Sequence, residues 1–165
     1  MIAKYVTVTE MIAVERAADA AGHSYAQMRE FAGHGLAEQI EEAYAFLRSE
    51  GALGLVGSGN NGGDTLVALD WLAQWGWKTS ACLVRPRPVD DPLIARLRNS
   101  GGEIFSLNGE ASQIHLYEQL AGCGVLLDGI LGTGIRLPLK SEIAQAVVYV
   151  RQALDGLEDP PAVVA

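Results

Sequence analysis

The stretch that most narrows the folds open to this chain is Ala52-Leu-Gly-Leu-Val56 followed at once by Gly57-Ser-Gly-Asn-Asn-Gly-Gly-Asp64. A short apolar run that ends in glycines reads as a strand buried on both faces, the kind found in parallel sheets. Beyond it Val67, Trp71, Leu72 and Trp75 recur at helical spacing, which predicts a helix over Asp64–Trp75, stopped by Gly76. The same alternation then repeats. Thr79–Val84, Glu103–Leu107 and Val125–Asp128 read as further strands. Between and after them lie helices opened by Asp91-Pro92, over Ala111–Leu120, and from a Ser141 cap to about Leu154. Strands alternating with helices imply βαβ units and a parallel sheet, with ligands beyond the carboxyl ends of the strands. The loops after Val56 and after Asp128 are therefore the places to look for a site.

The first third of the chain is helical by pattern. Thr7-Val-Thr-Glu10 and Ser24-Tyr-Ala-Gln27 are capping boxes. The first helix places Met11, Val14, Ala17, Ala18 and Ala21 on one face and ends at Gly22. The second runs to about Arg48 with Met28, Leu36, Ile40, Ala43 and Leu47 inward. With 165 residues the chain suits a single domain spanning 1–165. Asp159-Pro-Pro-Ala-Val-Val-Ala165 reads as a turn and the start of a fifth buried strand, so the domain is expected to be C-terminally incomplete.

A net charge of -8 argues against non-specific nucleic-acid binding, which needs a basic footprint. It does not argue against a phosphate ligand, which backbone N–H groups can hold locally. Cys82 and Cys123, with three scattered histidines, give no zinc spacing and read as buried thiols in a reducing compartment. The N-terminus lacks a signal-peptide pattern, and no run reaches the ~18 apolar residues of a membrane span. A cytoplasmic location is the expectation, with no membrane or nucleic-acid partner.

Two loops carry the chemistry. Gly57, Gly59 and Gly62 satisfy G-x-G-x-x-G between a strand and a helix, where the backbone can approach a phosphate and the helix dipole favours an anion. Asn60 and Asn61 add amide groups, and a carbonyl oxygen for a hard cation. No Gly-Lys-Ser/Thr ending follows, so this is not a P-loop. The second loop is Asp128-Gly-Ile-Leu-Gly-Thr-Gly-Ile-Arg-Leu-Pro138. Asp128 ends a very apolar strand and needs a partner, such as a cation or a ligand hydroxyl, or else it caps a neighbouring loop. Gly132–Gly134 can wrap a ligand, and Arg136 can pair with phosphate. Arg85 and Arg87 stand where a dinucleotide-binding protein could hold a 2′-phosphate, although the prolines between them favour a solvated loop. His23, His34 and His115 read as structural or exposed, and Trp71, Trp75 and Trp77 as packing helix on sheet.

Gly57-Ser-Gly-Asn-Asn-Gly-Gly-Asp64 and Leu127-Asp-Gly-Ile-Leu-Gly-Thr-Gly134, together with Glu10-Met-Ile-Ala-Val-Glu-Arg-Ala and Met28-Arg-Glu-Phe-Ala-Gly33, resemble the NAD(P)H-hydrate epimerase family, the YjeF N-terminal domain. The resemblance runs through the whole chain in order. It implies a three-layer α/β/α Rossmann-like fold with a mainly parallel sheet and N-terminal helices. It also implies an isomerase of nicotinamide-nucleotide repair that interconverts the R and S epimers of hydrated NADH or NADPH, with potassium as cofactor. Carried over by motif, Asn60, Asn61, Gly62, Gly63 and Asp64 contact the ligand, as do Gly132, Thr133, Gly134, Ile135, Arg136, Leu137 and Pro138. Asn61 and Asp128 hold potassium. The family's acid/base aspartate belongs to a Val-Asp-x-Pro-Ser-Gly element expected beyond Ala165, which leaves Arg136 as the candidate within the chain. Arg29 and Phe31 stand where the family's Met-Glu-Asn-Ala-Gly form has methionine and asparagine. The implied partners are a fused or separate ADP/ATP-dependent NAD(P)H-hydrate dehydratase and a second copy in a homodimer. Two other readings stay open: a non-catalytic nucleotide-binding or dimerisation module, and an NADP-dependent oxidoreductase.

Overall fold

The computed structural model describes residues 6–135, 137–139 and 141–165. Helices α1 (Val8–Ala20) and α2 (Tyr25–Tyr44) come first, each opened by the capping box its sequence predicts. α2 ends sooner than its apolar spacing suggests, because the chain tightens into a 3₁₀ turn over Ala45–Leu47. There follow β1 (Ala52–Val56), α3 (Asn60–Gln74), β2 (Thr79–Leu83), α4 (Pro92–Asn99), β3 (Glu103–Ser106), α5 (Glu110–Gly122), β4 (Val125–Gly129), α6 (Ser141–Asp155) and β5 (Ala162–Val164). Asp91 caps α4 by accepting the Leu93 N–H at 2.9 Å, with Pro92 in the first turn. Ser141 opens α6 as its first helical residue; Lys140 before it lies outside the described residues.

The five strands form one parallel sheet in the order β3-β2-β1-β4-β5. Successive residues of β1 point to opposite faces. Ala52 and Val56 join one core with Ile40 of α2, Leu66, Leu69 and Leu72 of α3, and Leu97 of α4. Leu53 and Leu55 join a second core with Leu116 and Leu120 of α5 and Val150 of α6. The result is three layers: α2, α3 and α4, then the sheet, then α5 and α6. β5 pairs with β4 but carries Val163 at 55% exposure, so its side chains are not the buried set expected.

Trp71 and Trp75, half-buried, pack against the core on the α2–α3–α4 side of the sheet and also meet α2, edge-on to His34, with Trp71 Nε1 donating to Glu30 at 2.8 Å. Trp77 is buried in that core, and its Nε1 donates to Glu41. The apolar face of α1 buries no residue; Met11 and Val14 are 39% and 58% exposed. Cys82 is buried and Cys123 only half-buried, short of the burial expected for it; burial pushes the two thiols up, to about 12 and about 11. Among the described residues no helix is long and apolar enough to cross a membrane.

Candidate functional site

β1, β2 and β3 build outward in one direction, and the chain then returns to place β4 on the other side of β1. β1 and β4 thus flank the topological switch point, where open parallel sheets bind ligands. The loops leaving these two strands are the glycine loop and the Asp128 loop, and together they line a cleft of about 830 Å³.

The glycine loop is shaped by backbone contact. A Cβ on Gly62 would lie 2.2 Å from the Gly57 carbonyl oxygen, and one on Gly57 would lie 2.3 Å from the Ile130 carbonyl oxygen. Neither site can take a side chain without moving backbone. α3 begins at Asn60, four residues before the sequence pattern suggests. Its N-cap, Gly59, gives no side-chain cap, so the first-turn N–H groups face the cleft without one. A ready anion site results, reinforced by the helix dipole.

Starting the helix at Asn60 sorts its side chains. Asn60 and Asp64, one turn apart, meet Arg29 of α2: Arg29 Nη2 donates to Asn60 Oδ1 at 3.2 Å, and Nε lies 3.9 Å from Asp64 Oδ1. Asn61 faces β4 instead. Its Nδ2 donates to the Leu131 carbonyl at 2.6 Å and to the Asp128 carbonyl at 3.4 Å, while Thr65 Oγ1 donates to the Asn61 carbonyl. Asp128 is exposed at the end of β4, and one carboxylate oxygen accepts the Ile130 N–H at 3.0 Å, which holds the loop in a tight turn. Asp64 is the perturbed acid of the cleft. Burial pushes it from 3.8 up to about 6, against the pull of Arg29 and with a smaller push from Glu15 of α1.

Asn60, Asn61, Gly62 and Asp64 line the cleft, as do Gly132, Thr133, Gly134, Ile135 and Pro138. Gly63 faces the other way, its Cβ position 2.7 Å from Arg29 Nε, and Leu137 is 80% exposed. Arg136 lies outside the described residues. Ile12 and Glu15, which bring α1 to the cleft, carry no sequence signal, and neither does the meeting of Arg29 in α2 with Asp64 in α3. The prolines beside Arg87 predict a solvated loop residue. Arg87 is buried: its Nε pairs with Asp91 at 2.7 Å and its Nη1 donates to the Gly57 carbonyl at 2.9 Å. A fixed cation thereby braces the glycine loop from the β2 side.

The family model described as YjeF-related protein N-terminus matches residues 25–165, which include both loops. The chain belongs to this family. Its relatives include the NAD(P)H-hydrate epimerase of Rhodopirellula baltica, 32% identical over 124 residues, covering 73% of this chain and 48% of that protein. The NAD(P)H-hydrate epimerase of Nitrosopumilus maritimus is 29% identical over 154 residues, covering 89% of this chain and 68% of that protein. The bifunctional NAD(P)H-hydrate repair enzyme Nnr of Salinibacter ruber is 30% identical over 135 residues, covering 74% of this chain and 25% of that protein. The chain spans about half the length of epimerase relatives it matches, 48% and 52% in two cases. The crystal structure of the yeast protein ynu0 superposes with a TM-score of 0.80 at 17% identity, covering 94% of this chain and 68% of that one. That likeness supports the Rossmann-like fold of this YjeF-related domain.

Proposed function

We propose that this YjeF-related domain is the epimerase part of a nicotinamide-nucleotide repair enzyme, interconverting the R and S epimers of hydrated NADH or NADPH. The observation that carries the reading is the α3 N-terminus, without a side-chain cap, opening on the switch-point cleft. It offers a pyrophosphate its N–H donors, and the loop at Gly132–Ile135 closes over the same space. Relatives named as NAD(P)H-hydrate epimerases point to the same ligand.

Epimerisation needs a group that gives a proton and takes it back, whether the hydrated carbon exchanges a proton or the ring opens reversibly. Asp64 fits that task, because at about 6 it is populated in both forms near neutral pH. Arg136 remains the second candidate. We also propose potassium as the cofactor. The oxygens that would hold it are those of the Asp128 carboxylate and the Asn61 side chain, the kind a hard cation takes; the Asn61 amide nitrogen is occupied by the carbonyls of Asp128 and Leu131, which ties Asn61 to the Asp128 loop. When bound, such an ion offsets the charges of Asp128 and of the ligand phosphates. Relatives named as bifunctional repair enzymes support a dehydratase, fused or separate, as the partner that consumes the S epimer.

The test is a chromatographic time course on purified R-hydrate of NADH, with and without potassium, against the uncatalysed rate. Conversion above the blank that rises with potassium is expected. No acceleration in either condition, with nucleotide still bound, would replace the reading with that of a binding module.

A further inference from the structure

The geometry points to Arg85 as a binding site for the 2′-phosphate of an adenosine ribose, so that this cleft prefers the phosphorylated dinucleotide hydrate over the unphosphorylated one. The inference rests on the proposed reading of the cleft as a dinucleotide site and deepens it.

β2 neighbours β1, and Arg85 follows its last residue, Leu83, by two positions. In doubly wound folds the chain past this strand meets the adenosine ribose. A carboxylate there binds the free 2′-hydroxyl, and an arginine accommodates a 2′-phosphate. Here no carboxylate of this loop lines the cleft: Val84 to Val89 carry no acidic residue, Asp90 is exposed in a separate depression beside Arg87, and Asp91 is committed to Arg87 and to the cap of α4.

The two arginines of this loop have opposite situations. The Arg87 side chain is 9% exposed and its head group is satisfied by Asp91 and the Gly57 carbonyl, so it has nothing to offer a ligand. Arg85 lines the cleft alongside Ser58, Gly59 and Asn60, the segment that leads into the anion site. Among the described residues it has no ion-pair partner, and its Nε is buried with no hydrogen-bond acceptor. A guanidinium with a dry, unmatched N–H at the edge of an anion-binding loop is short of an acceptor. A phosphate monoester supplies three oxygens and takes the two-pronged contact that arginine makes well. In a chain of net charge -8, general attraction for anions does not explain an unpaired cation placed here.

The experiment is calorimetric titration of the chain with adenosine 2′,5′-bisphosphate and with adenosine 5′-monophosphate. The bisphosphate should bind about tenfold tighter or more, the usual size of a charge-assisted contact. Arg85→Ala should bring the ratio close to one, and Arg85→Lys should keep part of it; thermal melting of each variant checks that the fold is intact. A ratio near one in the unaltered chain, a preference that survives Arg85→Ala, or absence of binding by the bisphosphate would overturn the assignment. A clear bisphosphate preference without hydrate turnover would sink the epimerase reading and leave this one standing. Turnover of both hydrates without preference would do the reverse.

Discussion

At the residue scale, Asp64 joins chemistry to stability. Its carboxyl titrates from 3.8 up to about 6 because burial outweighs the attraction of Arg29. A raised acid makes the folded state hold its proton longer than the unfolded chain does. Stability therefore falls as pH rises between about 4 and 6, by an amount that solvent around this half-buried group keeps below the full linkage value. Asp64→Asn should flatten urea-derived stability across that interval while lowering turnover about a hundredfold or more, the usual worth of a positioned proton carrier. Turnover within a few fold of the unaltered chain would show that the proton travels through another group. The residue scale is also where the sequence was least legible. Asp64 stands out by its motif, but its protonation is set by Arg29 and Glu15, both distant in the chain, and helical periodicity carries no information about such meetings.

At the scale of elements, α3 and α1 pull in different directions. Asn60-Asn-Gly-Gly is a poor helical sequence by propensity, which is why the pattern suggests a start at Asp64. The first turn forms regardless, since its donors need no carbonyl partners and it is held by Arg29 on one side and the Asp128 loop on the other. α1 is the opposite case. Its capping box and apolar spacing are legible, yet it buries nothing and reaches the rest of the molecule chiefly through Ile12 and Glu15 at the cleft. A helix with so little burial opens at low free-energy cost. Amides of Val8–Ala20 should exchange hydrogen faster than those of α3 in the free protein and slow when nucleotide binds. Exchange in α1 as slow as in α3 without ligand would mean that α1 is held by more than this cleft edge.

On the scale of the whole molecule, strand and helix order, the parallel sheet and the two loops that line the cleft could be read from the sequence, because short apolar runs, helical spacing and glycine clusters each leave a local trace. The polar ties between helices could not. Asp70, fully buried, accepts from Arg96 at 2.5 Å, Ser100 at 2.6 Å and Gln74 at 2.7 Å, and Arg96 continues to Glu30. Arg96, held between the carboxylates of Asp70 and Glu30, thus ties α2, α3 and α4 together over a single face of the sheet. Removing only the cation strands a buried charge, so Arg96→Ala should cost about 3 kcal/mol or more in urea unfolding. Adding Asp70→Asn should return part of that loss. Equal stability of Arg96→Ala and the unaltered chain would show that water replaces the guanidinium.

The brace from Arg87 to the Gly57 carbonyl bears on how a ligand is received. Because that contact is buried and paired with Asp91, the glycine loop keeps its shape without waiting for a phosphate to organise it. The entropy of arranging the donors is then spent during folding rather than at each encounter, and a lock prepared in advance captures its key at a rate set by access past α1.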